Sequence, residues 1–173
     1  MKFATSLVQT RFQSPLGSLI AAATDQGLAG LWFDDQRHLP SELTGAAVWR
    51  TDENHPLLKR TVHQLEDYFA GTRTVFDLPL DLSCGTPFQQ SVWQALLAIR
   101  SGDTASYGQI SARIGNPAAV RAVGAAVGRN PISIIVPCHR VMGADGSLTG
   151  YAGGLHRKTA LLTLEGVLEE TIL

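Results

Sequence analysis

Apolar and polar positions follow different patterns in the two parts of the chain, and the first part has the pattern of a β-sheet. Two apolar stretches, residues 12–24 and 27–33, are joined by Asp25-Gln26-Gly27. A short connection of this kind, with a glycine at its end, is typical of a β-hairpin. The pattern therefore predicts two adjacent strands near the N-terminus.

The rest of the first part predicts one helix and one further strand. Apolar residues recur at helical spacing over residues 57–69, and Gly71 is expected to end that helix. Residues 75–82 alternate between apolar and polar side chains, which favours a strand, and Pro79 within them favours an edge position. We therefore predict an α/β domain over residues 1–83.

The second part predicts helices. Thr86 followed by proline is typical of a helix start, so a helix is expected over residues 87–99. Two short helices are expected over residues 106–114 and 118–128, with Asn116 as N-cap and Pro117 as the first residue of the second one. Two short helices joined by a tight turn that contains glycine form a helix-turn-helix pattern.

Charge is unevenly distributed, and the predicted second domain, residues 84–173, contains the basic part. The whole chain of 173 residues has 14 Lys and Arg against 15 Asp and Glu, a net charge of −1 that by itself argues against nucleic-acid binding. Residues 86–160 nevertheless contain seven basic and two acidic side chains. Such an asymmetry can build a positive face on a nearly neutral protein.

The second helix of the helix-turn-helix pattern consists almost entirely of small residues. Arg121 is the one long side chain between Pro117 and Gly128, whereas a helix that reads bases usually presents several Arg, Asn, Gln or Lys side chains. One interpretation is sequence-independent DNA binding, in which a smooth helix approaches the DNA closely. The other is tight packing of this helix inside the protein, with Arg121 in solvent.

The sequence IIVPCHRV at 134–141 places a cysteine and a histidine side by side. Residues 134–136 are interpreted as the end of a buried strand. Adjacent side chains on a strand point to opposite faces, so His139 can activate Cys138 only with a turn after Pro137 or through a bridging water. A small buried cysteine without chemistry is the alternative.

Glu165 is the candidate third member of the site, because a carboxylate can fix the tautomer of a histidine. It lies in the apolar run TALLTLEGVL, where an unpaired charge is unfavourable. Ligand spacing typical of zinc, such as CxxC or HExxH, is absent, and Cys84 has no evident partner. We therefore expect a Cys-His-Glu arrangement without a metal and without a disulfide.

Six short motifs, in order along the chain, resemble the O6-alkylguanine-DNA alkyltransferases. They are SYG at 106–108, RAVG at 121–124, NP at 130–131, PCHRV at 137–141, GYAGG at 150–154 and Glu165-Gly166. The match is dense over residues 86–166 and loose over residues 1–85. The resemblance implies an α+β fold, with an N-terminal α/β domain whose sheet resembles that of ribonuclease H and a C-terminal helical domain with the helix-turn-helix.

The resemblance also implies DNA repair by a direct, irreversible transfer in which each protein acts once. Cys138 attacks the alkyl carbon on guanine O6, and O4-alkylthymine is expected as a second substrate. His139 takes the thiol proton through a water, and Glu165 orients that histidine. Asn130 holds the turn that brings the cysteine and histidine segments together, and Tyr107 donates to guanine N3. No cofactor is expected.

Further residues are implied to form the pocket for the alkylated base. The carbonyl of Val141 accepts from the exocyclic amine of guanine, Tyr151 forms a wall, and the backbone N–H of Ala152 faces O6. Thr149 and Ser133 are expected to shape the pocket.

The implied partner is double-stranded DNA that contains O6-alkylguanine, bound in the minor groove without sequence specificity. Arg121 fills the space of the flipped nucleotide, and Ala119, Val120, Ala122 and Tyr107 approach the DNA. Valine at position 120 departs from the alanine that is usual in the family. We expect a cytoplasmic monomer, and its cooperativity on DNA is left open.

Two alternatives remain at the level of sequence. Non-catalytic relatives bind alkylated DNA but usually have tryptophan at the position of Cys138. A thiol hydrolase with a Cys-His-Glu triad would turn over many substrate molecules. Arg140 is expected to make structural hydrogen bonds at the domain interface.

Overall fold

A computed structural model describes residues 1–4, 6–43 and 49–169. The chain forms two compact units, of which the first comprises Met1–Thr86 with Pro131–Ser133 and the second comprises Pro87–Asn130 with Ile134–Leu173. Within the described residues, no helix is both long enough and apolar enough to cross a membrane.

The N-terminal unit contains a four-stranded sheet in the order β3-β2-β1-β4. Its strands are β1 (Val8–Ser14), β2 (Gly17–Ala23), β3 (Leu28–Phe33) and β4 (Arg50–Thr51). The predicted hairpin joins β2 to β3 and is confirmed. The sequence pattern missed β1, which pairs antiparallel with β2 through a second hairpin, because two of its three buried residues, Gln9 and Thr10, are polar.

The predicted helix of this unit is confirmed as α1 (Pro56–Phe69). Proline stands at its first position, and Gly71, just beyond its end, has a left-handed conformation. Leu58 and Leu65 are buried on the face that packs against β1 and β2. The strand predicted over residues 75–82 is wrong, since the structure shows only an isolated bridge between Leu28 and Leu80. A proline at position 79 cannot donate to a ladder, which limits the pairing there.

The C-terminal unit is mainly helical. Its elements are α2 (Pro87–Leu97), β5 (Ala105–Ser106), α3 (Tyr107–Arg113), α4 (Val120–Gly128), β6 (Val141–Met142) and α5 (Leu155–Leu164). The helices α3 and α4 form the predicted helix-turn-helix and both pack on α2. Trp93 of α2 is fully buried, and its indole N–H donates to the carbonyl of Ala126 on α4 at 2.9 Å.

Local hydrogen bonds set the starts of α3 and α4. Ser106 caps α3 in a reciprocal capping box with Gln109, as the polar residues before this helix allow. The predicted start of the second helix is wrong, because α4 begins at Val120 and its N-cap is Ala119. The N–H of Asn116 still donates to the carbonyl of Ser111, so asparagine closes the preceding turn and does not open the next helix.

The three apolar residues before the cysteine motif do not form the predicted strand. Ile134, Ile135 and Val136 are buried, but they form a turn. Ile134 has a φ of 72°, a conformation that is strained for a β-branched side chain. Burial and β-branching alone cannot distinguish such a turn from a strand.

Candidate active site

The cysteine motif forms a single turn of 3-10 helix over Cys138–Arg140. The N–H of Cys138 donates to the carbonyl of Val136 at 2.8 Å, and the N–H of Arg140 donates to that of Pro137 at 3.0 Å. The turn required after Pro137 is therefore present. It places Cys138 and His139 in a buried environment, where they are 6% and 0% exposed.

Asn130 supports this turn from the end of α4. Its side-chain amide donates to the carbonyl of Val136 at 2.8 Å, and it also hydrogen-bonds the thiol of Cys138. One side chain therefore holds the turn and touches the sulfur.

Burial raises the pKa of Cys138 above its ordinary value. The hydrogen bond from Asn130 and the positive charge of Lys158 lower the pKa, but burial has the larger effect. The resting cysteine is therefore a thiol at neutral pH. A nearby group must accept its proton before the sulfur can act as a nucleophile.

His139 and Glu165 form a buried pair. The Nε2 atom of His139 lies 2.8 Å from a carboxylate oxygen of Glu165, and the two side chains are 0% and 1% exposed. Burial lowers the pKa of His139 more than the carboxylate of Glu165 raises it, so the imidazole is neutral. Because a carboxylate only accepts, the proton of the neutral ring is assigned to Nε2.

The other ring nitrogen of His139 is available as a base. Nδ1 is buried and has no hydrogen-bond partner among the residues that the structure describes. With the proton on Nε2, Nδ1 carries the lone pair. The ring therefore has the tautomer in which Nδ1 can receive a proton.

Arg140 holds the carboxylate of Glu165 through two nitrogens. Its Nε donates to one oxygen at 2.7 Å and its Nη2 to the other at 2.9 Å, while Nη1 donates to the carbonyl of Ile99 at 2.6 Å. These bonds all lie within the C-terminal unit, so the expectation of a role at the domain interface is corrected. The bidentate geometry fixes the carboxylate that orients His139.

Lys158 belongs to the site and was missed from the sequence. It is fully buried on α5, and its Nζ donates to the carbonyls of Val141 at 2.6 Å and Thr149 at 3.1 Å. A signal was present in the sequence, because helical spacing puts position 158 on the same face as Leu161 and Glu165. Burial lowers the pKa of Lys158, and a thiolate at Cys138 opposes that shift.

Hydrogen bonds link three of the predicted site residues, Tyr107, Thr149 and Val141, directly or through Lys158. The phenolic oxygen of Tyr107, at the start of α3, lies 2.9 Å from the side-chain oxygen of Thr149. The ring of Tyr107 faces Gly124 of α4, where an added Cβ would lie 3.9 Å from the ring. The carbonyls of Thr149 and Val141 share the ammonium group of Lys158.

The remaining predicted pocket residues lie in different places. Tyr151 and Ala152 are half-buried in the turn before α5, where the carbonyl of Tyr151 accepts from the N–H of Gly154 at 2.9 Å. Ser133 belongs to the N-terminal unit and is buried there, with its hydroxyl 3.4 Å from a side-chain oxygen of Gln36.

The predicted DNA-facing residues lie on the surface of the C-terminal unit. Val120, Arg121 and Ala122 are exposed and Ala119 is half-buried, while the buried face of α4 consists of Val123, Ala126 and Val127. Val120 is 42% exposed although it is apolar. The interpretation in which these small residues pack inside the protein therefore does not apply to positions 120–122.

No group of three or more His, Cys, Asp and Glu side chains among the described residues could hold a metal ion. The buried ionisable groups of this region are instead linked by direct contacts. His139 and Arg140 share the carboxylate of Glu165, while Lys158 binds two carbonyls.

Two family models match the chain. Residues 7–82 match the ribonuclease-like domain of 6-O-methylguanine DNA methyltransferase, and residues 87–167 match its DNA binding domain. Together these matches span most of the chain.

Curated relatives have similar lengths and high identity. The chain is 59% identical over 168 residues to a methylated-DNA–protein-cysteine methyltransferase of Salmonella typhimurium, and the match covers 94% of this chain and 97% of the relative. It is 52% identical over 152 residues to the protein of the same name from Mycobacterium leprae, with 88% of each chain covered.

Solved structures are similar along most of the chain. The crystal structure of Mycobacterium tuberculosis OGT in complex with DNA has a TM-score of 0.82 and 49% identity, covering 91% of this chain and 92% of that one. The crystal structure of Mycobacterium tuberculosis O6-methylguanine methyltransferase has a TM-score of 0.81 and 50% identity, with 92% of each chain covered.

Proposed function

The chain belongs to the 6-O-methylguanine DNA methyltransferase family, and on this premise we propose that Cys138 is the residue that receives the alkyl group from guanine O6. The family resemblance, the α+β fold with its ribonuclease-like and DNA-binding domains, and the repair methyltransferase activity expected from the sequence are confirmed. The non-catalytic and hydrolase alternatives are not favoured by these relatives.

The observation that carries the proposal is the buried bond of 2.8 Å between His139 and Glu165. It holds a neutral imidazole with its proton on Nε2, so Nδ1 can accept the thiol proton of Cys138 through a water. The resulting imidazolium is stabilised by Glu165, whose position is in turn set by Arg140. A raised pKa in the resting thiol is no obstacle, because ionisation is coupled to this transfer.

The transfer is a displacement at the alkyl carbon. A bond forms between the sulfur of Cys138 and that carbon, the carbon–O6 bond breaks, and its electron pair passes to the purine. Tyr107 eases the departure of the purine by donating to guanine N3. The thioether product has no easy route to hydrolysis, so each protein molecule acts once. The same displacement applies to O4-alkylthymine.

The pocket residues orient the base during this step. The carbonyl of Val141, which accepts from Lys158 through one lone pair, has a second lone pair for the exocyclic amine of guanine. Tyr151 lines the pocket, and the N–H of Ala152 faces O6. Asn130 keeps Cys138 in position through its bonds to the turn and to the sulfur.

DNA is bound through α4 in the minor groove without sequence specificity, and the alkylated nucleotide is flipped out of the stack. The exposed small residues Val120 and Ala122 allow close approach, and half-buried Ala119 contributes to the same surface. Arg121 is exposed on this helix and occupies the space of the flipped nucleotide. Flipping is required because an alkyl group within a duplex is out of reach of a buried thiol.

The experiment is a stoichiometry measurement with duplex DNA that contains O6-[³H]methylguanine. The wild-type protein is expected to acquire up to about one label per chain on Cys138, located by peptide mapping, while Cys138→Ala binds DNA and acquires none. Cys84→Ala is the matched control and is expected to transfer normally. Multiple turnovers, or label on any residue other than Cys138, would contradict the proposal.

A further inference from the structure

We propose that Thr149 is a positioning residue for the transfer, because its hydroxyl directs the phenolic proton of Tyr107 toward the purine. The inference rests on the proposed role of Tyr107 as the donor to guanine N3. It assigns to Thr149 a function in catalysis that is distinct from shaping the pocket.

The hydrogen bond between the two hydroxyl groups has a defined consequence once a base is bound. The oxygens of Tyr107 and Thr149 lie 2.9 Å apart, and either can donate in the free protein. A phenol has one proton, so when Tyr107 donates to a purine nitrogen its oxygen can only accept from Thr149. A donor at that oxygen polarises the phenol and strengthens the bond to the base.

Tyr107 and Thr149 each have a further contact besides the hydrogen bond between them. The ring of Tyr107 faces α4 at Gly124, where an added Cβ would lie 3.9 Å from the ring, an ordinary van der Waals distance. The carbonyl of Thr149 accepts from the buried ammonium group of Lys158, which also binds Val141 of β6. The loop between Val141 and Thr149 is closed by a hydrogen bond of 2.9 Å from the N–H of Gly143 to the carbonyl of Ser147.

These contacts connect the residues that address two neighbouring positions of the bound base, N3 and the exocyclic amine on C2. Lys158 fixes the carbonyl of Val141, which is the proposed acceptor for the exocyclic amine, and it fixes Thr149, which sets the direction of the Tyr107 proton. The donor for N3 and the acceptor for the amine are therefore held at a constant separation. Such a separation favours guanine over a base that lacks an acceptor at this position.

The test compares two substrates in single-turnover reactions. Duplex DNA contains either O6-methylguanine or O6-methyl-3-deazaguanine, in which a C–H group replaces N3. Thr149→Val removes the hydroxyl and is expected to lower the rate constant for the first substrate by about three- to tenfold, in line with the loss of one hydrogen bond. The rate constant for the deaza substrate is expected to stay unchanged.

Three further variants sharpen the comparison. Thr149→Ser keeps a hydroxyl and is expected to restore most of the rate. In a Tyr107→Phe background, Thr149→Val is expected to have no additional effect, since the phenolic oxygen is gone. Thr163→Val, on the half-exposed part of α5, is the matched control for a threonine-to-valine change.

The possible results distinguish the positioning role of Thr149 from the proposed transfer to Cys138. An equal loss on both substrates, or no loss on the first, would overturn the role of Thr149 while leaving the proposed function intact. Because rate constants are compared, partial misfolding of the variant would lower the extent of reaction with both substrates and would not count as an equal loss of rate. Absence of transfer by the wild-type protein would overturn the proposed function and this inference with it.

Discussion

Replacing Glu165 by glutamine removes one buried charge and keeps the shape of the side chain. The carboxylate accepts three hydrogen bonds, from Nε2 of His139 at 2.8 Å and from Nε and Nη2 of Arg140 at 2.7 and 2.9 Å. An amide has one oxygen and one NH₂ group, so at least one of these donors would face another donor. Arg140 would also lose its buried counter-charge.

The magnitude follows from the burial of the group. The side chains of Glu165 and Arg140 are 1% and 7% exposed, so solvent cannot replace the lost partner. Removing one member of a buried ion pair costs about 3–5 kcal/mol. The effect on the reaction has a second cause, because the imidazolium at His139 would form without its anion. Loss of an effective general base lowers a rate by about 10²- to 10⁴-fold.

Two measurements check this prediction for Glu165→Gln. Urea unfolding is expected to show the loss of stability, and single-turnover transfer from O6-methylguanine in duplex DNA is expected to slow by about 100-fold or more. Glu169→Gln, an exposed change four residues away, should leave both quantities as in the wild-type protein. A stability change below about 1 kcal/mol together with a transfer rate close to that of the wild type would refute the reasoning.

Three other predictions concern pH, DNA binding and thiol reactivity. Because the pKa of His139 is lower in the folded protein than its unfolded value of about 6.5, its contribution to stability is present above that pH and is lost as the pH falls below it. The free energy of unfolding should therefore decline below about pH 6.5, and it should decline less in His139→Gln. The same dependence on pH in the variant and the wild type would argue against assigning the decline to His139. Arg121→Ala should lower the rate of repair in duplex DNA by about tenfold or more and leave the reaction with free O6-methylguanine nearly unchanged, and single-turnover assays showing equal losses would exclude a role in flipping. Burial raises the pKa of Cys84 to about 11, so at pH 8 iodoacetamide should modify it slowly, and rapid labelling of its peptide in mass spectrometry would contradict this.

Local pattern was sufficient for most of the helices. In α1 the apolar residues recur with one strong period, and proline and glycine mark its two ends. The strand β1 was missed because two of its three buried residues are polar. Residues 75–82 have a strand-like alternation, yet they form only one isolated bridge, since pairing needs a neighbouring strand as well as a pattern.

In the candidate site, too, some features follow from the local sequence and others from the tertiary structure. Cys138 and His139 are neighbours in the sequence, and Glu165 can be predicted as their partner because a charge among leucines requires one. Helical spacing indicates that Lys158 faces the core, but the partners of Arg140 and Lys158 could not be predicted, because they lie 9 to 41 residues away along the chain. Which partner a buried cation finds depends on how the helices and the 3-10 turn are packed.

The sequence by itself determined the family and the fold class, because short motifs and periodic patterns are local properties, and it predicts Cys138 as the nucleophile. Only the tertiary structure decided that residues 134–136 form a turn, since three buried β-branched residues suit a turn or a strand equally well. That turn is selected by contacts from outside the segment, including the bond of 2.8 Å from Asn130 to the carbonyl of Val136. The tertiary structure likewise decided that Arg140 binds Glu165, because a long side chain takes its partner from the surrounding fold.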